Sequence, residues 1–186
     1  MHLHAPIIKV RDEYELRIPI EEDSFQLARV VDENREYLMK WLPWLESSRN
    51  QKDSLLYIQK IHGDWSLHKL YSCLIYKENE IVGAMGFHSK THKYMPMGYW
   101  ISKKYSGTGL CTAASRALIK WAFSYYEDLN MIELKAAADN LPSRRVAEKL
   151  GFKCEAVLRN REWLYNRFVD HAVYSLTRKE FARENN

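Results

Sequence analysis

The chain has 186 residues, 46% hydrophobic and 28% charged, a balance that fits one soluble domain able to bury a core without disulfides or metal. A net charge of +4 is mildly basic, with no lysine or arginine run to act as a nucleic-acid arm. No apolar stretch is long enough to span a bilayer, and the first six residues lack the basic region and apolar core of a signal peptide, so the cytoplasm is the expected location. The three cysteines, Cys73, Cys111 and Cys154, show neither C-x-x-C nor zinc spacing and are expected as free thiols.

Tyr14, Leu16, Ile18 and Ile20 alternate with Glu15, Arg17 and Pro19, the period of a half-buried strand that Pro19 marks as an edge or an end. Glu21, Glu22 and Asp23 open a helix carrying Leu27, Val30, Val31 and Asn34. The aromatic block from Asn34 to Leu45, broken by Pro43, fits core packing or the wall of a substrate mouth. A second helix is predicted over 51–67, with Leu55, Ile58, Ile61 and Trp65 on one face. Residues 70–76 and 80–87 form a hairpin around Lys77-Glu78-Asn79, and a loop with His88, Lys90, His92 and Lys93 leads to a third strand. His88 and His92 have no acidic or cysteine partner nearby, and no metal is expected.

That third strand ends in Gly98-Tyr99-Trp100-Ile101-Ser102, passes Lys103 and Lys104, and enters Ser106-Gly107-Thr108-Gly109-Leu110-Cys111 before an alanine-rich helix marked by Ala114, Leu118, Trp121, Ala122 and Tyr125. Glycines ahead of a helix suit an anion, because the first-turn N–H groups and the helix dipole attract phosphate. They equally suit a loop that only reverses direction. A dinucleotide fingerprint fails, since Thr112 stands where its third glycine belongs, and no Gly-Lys-Ser/Thr of a P-loop is present. Residues 131–138 read as a strand, Asp139 to Ser143 as a turn, 143–150 as a helix closed by Gly151, and 152–159 and 168–176 as two last strands before a polar tail.

This order of motifs, with Leu150-Gly151-Phe152, resembles the GCN5-related N-acetyltransferase (GNAT) superfamily over about 14–177. The stretch from Asn34 to Trp44 and the ending from Tyr165 to Ser175 look like its RimL-type ribosomal-protein branch. The implied fold is α/β (α+β), a mixed, mostly antiparallel sheet of about seven strands flanked by about four helices in one N-acetyltransferase domain. The implied function is acetyl transfer from acetyl-CoA to an amine, foremost the N-terminal α-amine of a ribosomal protein, by direct attack in a ternary complex and without metal. A small-molecule amine (a polyamine, aminoglycoside or amino-acid derivative) and a non-catalytic acyl-CoA-binding module are the rivals. Neither nucleic acid nor membrane is an implied partner, and a homodimer is compatible with the family.

Residue by residue, the resemblance puts the acetyl-CoA pyrophosphate at Ser106, Gly107, Thr108, Gly109, Leu110 and Cys111. Serine replaces the family's Gln/Arg and cysteine its small Gly/Ala, but the cradle consists of backbone N–H groups that need no particular side chain. Lys103, Lys104, Arg144 and Arg145 would lie near the adenosine phosphates. Trp100, Ile101 and Ser102 would splay from the strand at 134–137 to admit pantetheine, with a backbone N–H aimed at the thioester carbonyl and Asn140 touching the arm. Ser143, whose ordinary reading is an N-cap, would protonate the departing thiolate. Met97 replaces the glutamate that many relatives carry, so the expected base is Glu162, beside Trp163, whose apolar ring would raise its pKa. An α-amine of pKa ~8 asks less of a base than lysine at ~10.4. Cys111 has no histidine placed to make it a nucleophile.

Overall fold

The computed structural model describes residues 6–67, 71–89, 91 and 93–184. Eight strands, β1 (Ile8–Arg11), β2 (Tyr14–Arg17), β3 (Ser72–Lys77), β4 (Glu80–Phe87), β5 (Tyr94–Ile101), β6 (Met131–Ala137), β7 (Lys153–Leu164) and β8 (Arg167–Thr177), form one sheet in the order β1-β2-β3-β4-β5-β6-β8-β7. Every neighbouring pair is antiparallel except β5 with β6. The eighth strand is β1, whose signal in the sequence is only Ile8 and Val10 over four residues; a turn with Asp12 at φ 39° folds it onto β2. The first predicted strand stops at Arg17 rather than Ile20, which is exposed beyond Pro19.

Helices α1 (Asp23–Glu33), α2 (Arg35–Met39), α3 (Gln51–Ser66), α4 (Leu110–Tyr125), α5 (Leu141–Lys149) and α6 (Arg178–Glu184) exceed the expected four by the short α2 and by α6, which takes the place of the predicted polar tail. The signal for α6 is a capping box: the Thr177 hydroxyl accepts from the Glu180 N–H at 3.3 Å, and the Glu180 carboxylate accepts from the Thr177 N–H at 3.0 Å. Phe181 then buries itself against Phe123, with ring centroids 5.5 Å apart. At α3 another box operates, Asn50 accepting from the Lys52 and Asp53 N–H groups while Asp53 accepts from the Asn50 N–H. Such caps typically contribute ~1 kcal/mol each.

The central strands are apolar on both faces because both are covered. Along β3, Cys73 and Ile75 face the layer of α4 and α5, while Leu74 and Tyr76 face Leu27, Val30 and Val31 of α1 and Ile58 of α3. This sandwich holds the middle of the sheet rigid and leaves β5 and β6 as the place where it opens.

Candidate active site

The β5–β6 ladder runs from Tyr94↔Met131 to Met97↔Leu134 and stops there. Beyond it, Gly98 to Ile101 stay with β4, and Lys135 to Ala137 stay with β8. The two parallel strands therefore part, and a cavity of about 700 Å³ enters the sheet between them. Its lining includes Met97 to Trp100 on one side and Leu134 to Ala137 on the other, with Asn140, Ser143, Glu162 and His171. Trp41, Leu42, Pro43 and Trp44 form part of its wall, so the aromatic block does both jobs considered for it: Leu38 and Leu45 are core, and Trp41 to Trp44 line the cavity.

Ser143 sits in the first turn of α5 and is not its cap. Asn140 is: its Oδ1 accepts from the Ser143 N–H at 3.3 Å, and Pro142 follows at a position where a missing N–H costs nothing. Relieved of capping, the Ser143 Oγ lies 3.0 Å from the Tyr99 hydroxyl, which also donates to the Ser143 carbonyl at 3.2 Å. Burial pushes the Tyr99 phenol well above its usual range, so it stays protonated and holds the serine in place. Met97, where a carboxylate was missed in the sequence, is buried and apolar.

Glu162 reaches the cavity on β7, but its neighbour is not Trp163. Successive strand residues face opposite sides, and Trp163 turns outward, 55% exposed, to pack edge-on against Phe168 at 4.9 Å. The group beside the carboxylate is His171, its Nε2 3.2 Å from Glu162 Oε2. Sequence reasoning overlooked His171 and Tyr99 alike, because each becomes informative only once strand register is known.

The glycine loop lies outside the cavity lining. Gly107 and Gly109 both adopt φ +78°, the left-handed region that favours glycine, and Gly109 opens α4 without a side-chain cap. The Ser106 N–H is engaged by the Lys103 carbonyl and the Thr108 N–H by that of Tyr105; among the described residues, the amides of Gly107, Gly109 and Cys111 meet no acceptor. Leu110 is core, and Ile101 is buried. Ser102 is buried with its N–H donated to the Val82 carbonyl at 2.8 Å, which withdraws that amide from any ligand. Ser106 receives the Tyr37 hydroxyl at 3.4 Å. Burial raises the Cys111 thiol to about 12, which removes the thiolate a nucleophile needs. Of the cations near the loop, Arg144 is committed to the Tyr174 hydroxyl and the Ala138 carbonyl, and Lys104 sits 3.7 Å from Glu80.

His88 also lines the cavity, its pKa held below the usual imidazole range by burial and by Lys60, while Lys90 and His92 lie outside the described residues. Among the described residues, no group of three or more His, Cys, Asp or Glu could hold a metal ion, and no helix is long and apolar enough to cross a membrane.

The fold that carries this cavity has counterparts among known proteins. The model of the acetyltransferase (GNAT) domain matches residues 14–153. YdaF of Bacillus subtilis (strain 168), provisionally named a ribosomal N-acetyltransferase, is 31% identical over 95% of this chain and 97% of its own. The ribosomal-protein-serine acetyltransferase of Escherichia coli (strain K12) is 27% identical over 90% and 94%. The solved structure of RimL, a ribosomal L7/L12 alpha-N-protein acetyltransferase in complex with coenzyme A, superposes with a TM-score of 0.88 at 24% identity, over 92% of this chain and 98% of that one. The chain belongs to the GNAT acetyltransferase family.

Proposed function

We propose that this chain, as one N-acetyltransferase domain, moves the acetyl group of acetyl-CoA onto the N-terminal α-amine of a protein, a ribosomal protein by the names of its relatives. The observation that carries the reading is the parting of β5 from β6 after Met97 and Leu134, which leaves strand-edge backbone facing a cavity that also holds Ser143 and Glu162. An extended amide-bearing arm such as pantetheine is complementary to such an edge, since it can take up the hydrogen bonds the strands no longer make with each other.

Acetyl-CoA supplies the activated acyl group; the chain supplies position and proton handling. The free amides of Gly107, Gly109 and Cys111, at the dipole end of α4, suit the pyrophosphate. Strand-edge amide groups near Trp100 and Ile101 suit the carbonyl oxygen as charge develops on it, and the Asn140 amide keeps its N–H groups for the arm. Glu162 accepts the proton that the amine loses as its nitrogen bonds to the acyl carbon. Ser143 donates its hydroxyl proton to the sulfur as the carbon–sulfur bond breaks, and regains one from solvent. The α-amine, with a pKa of ~8, is partly neutral at pH 7 and suits a site whose base is a lone carboxylate. A cytoplasmic location and a homodimeric assembly go with this reading, on the family resemblance.

The test is release of CoA thiol from acetyl-CoA with peptides beginning in Ser, Ala or Met, and with polyamines and aminoglycosides, for wild type, Ser143→Ala and Glu162→Ala. Turnover on peptides, reduced in both variants, is expected. Tight acetyl-CoA binding without turnover on any amine would sink the enzyme reading, and turnover on small amines alone would remove the protein substrate.

A further inference from the structure

Glu162 owes its place to an irregularity in the β7–β8 ladder. Leu158 pairs with His171 and Glu162 with Val169, so four residues of advance along β7 match two along β8. The surplus bulges out around Asn160, which takes φ +50° and donates its N–H to Asp170 Oδ1 at 2.8 Å. In an unbroken ladder, position 160 would face Val169, and Glu162 would lie past it. The bulge instead sets Glu162 opposite Val169, on the face it shares with His171 two residues along β8, and the two side chains meet at 3.2 Å.

His171 is held from behind as well. Its backbone pairs with Ala137, the last residue of β6 before the α5 turn, and its side chain is 13% exposed, against 32% for Glu162. Both line the cavity. Of the two lysines lining the cavity, Lys135 lies 2.9 Å from Glu133 and Lys60 2.6 Å from Asp64, and the imidazole is the group in contact with the Glu162 carboxylate.

We propose that His171 is a positioning residue of the acceptor site: its Nε2–H donates to Glu162 Oε2, fixing the carboxylate so that its second oxygen is presented to the amine. This inference rests on Glu162 being the base. The carboxylate selects the tautomer with the proton on Nε2, and the β7 bulge, clamped by Asp170, fixes the separation. No bond of the reaction forms at His171; it shortens the search of a flexible glutamate for the one orientation that can take a proton.

The experiment measures kcat and KM for peptide and for acetyl-CoA in wild type, Glu162→Gln, His171→Ala, His171→Gln, His171→Phe and the double variant Glu162→Gln/His171→Ala, with acetyl-CoA affinity measured on each protein to establish that it is folded. His171→Ala is expected to lower kcat about 10-fold with the acetyl-CoA KM unchanged, a loss typical of a misplaced reacting group. His171→Gln, which keeps an N–H donor, should recover most of it; His171→Phe, which keeps only bulk, should not. In the Glu162→Gln background, removing His171 should change nothing further. A slow Glu162→Gln with a wild-type His171→Ala or His171→Phe overturns this proposal alone, and so does an equal, additive loss in the double variant. A wild-type rate for Glu162→Gln overturns the assignment of Glu162 itself, and this proposal with it.

Discussion

The Tyr165 phenol donates to the main-chain carbonyl of Leu42 at 2.6 Å, joining the tip of the β7–β8 hairpin to the aromatic segment 123 residues earlier. Tyr165 and Trp41 also pack on Ala137, Leu164 and Val169, a small apolar cluster separate from the two main core layers. The hydrogen bond and this packing together close the cavity wall between two pieces of chain far apart in sequence. Tyr165→Phe should cost ~1 kcal/mol of stability and raise the peptide KM several-fold, with acetyl-CoA binding unaffected. Thermal melts and steady-state kinetics with varied peptide check it; an acetyl-CoA affinity that falls in step would show that the wall is not specific to the acceptor.

Tyr99 gives a second expectation. Its hydroxyl is the partner of the Ser143 hydroxyl, so Tyr99→Phe should lower kcat a few-fold, less than Ser143→Ala. Burial holds the phenol above its usual range, so its ionisation lies above the pH range in which the enzyme is assayed. The pH–rate profiles of wild type and Tyr99→Phe should accordingly have the same shape and differ only in height. A limb present in one and absent from the other would make Tyr99 a proton donor in its own right.

Much of this was legible in the sequence, and the omissions have physical causes. The central strands, α1, α3 and α4 announce themselves by periodicity over six residues or more. The strand β1 is too short to do so, and it owes its order to pairing with β2. The tail reads as polar by composition, although Thr177-Arg178-Lys179-Glu180 carries the capping-box spacing and Phe181 supplies the apolar anchor. Motif order pointed to Ser143 and Glu162 by family likeness, while their partners Tyr99 and His171 depend on register. The two-residue surplus in β7 is invisible in Leu158 to Glu162, since no residue there announces a bulge until Asn160 is seen at positive φ.

Gly109 tests the loop. A Cβ added there meets no atom within 4 Å, so the cost of Gly109→Ala is that of the left-handed backbone alone, ~1–2 kcal/mol. If the loop relaxes to relieve it, the amide array at the start of α4 moves too. Titration calorimetry should find acetyl-CoA binding weakened several-fold in this variant. Full affinity in a destabilised protein would mean that the pyrophosphate is held elsewhere.

Acid should loosen the attachment of α6. Lys153 and the Thr177 hydroxyl and N–H hold the Glu180 carboxyl at about 2, below its ordinary value of 4.5. A depressed carboxylate pKa means that the folded state favours the ionised form. Its contribution is complete above the ordinary value and is lost as pH falls through about 2. Glu180→Gln should therefore be less stable than wild type at pH 7, and urea titrations should find the difference shrinking between pH 4.5 and pH 2. A difference that stays constant across that window would assign the effect to the capping geometry and not to charge.

The parting of β5 and β6 has one more consequence. A slot bounded by main chain is indifferent to which side chains the two strands carry, provided none plugs it. Its outline along Gly98 to Ile101 and Lys135 to Ala137 is drawn by backbone, whereas the aromatic segment and the β7–β8 hairpin present their side chains to whatever enters from the opposite end. Selection can then refashion one end of the cavity for a new guest while the other passes unaltered from ancestor to descendant.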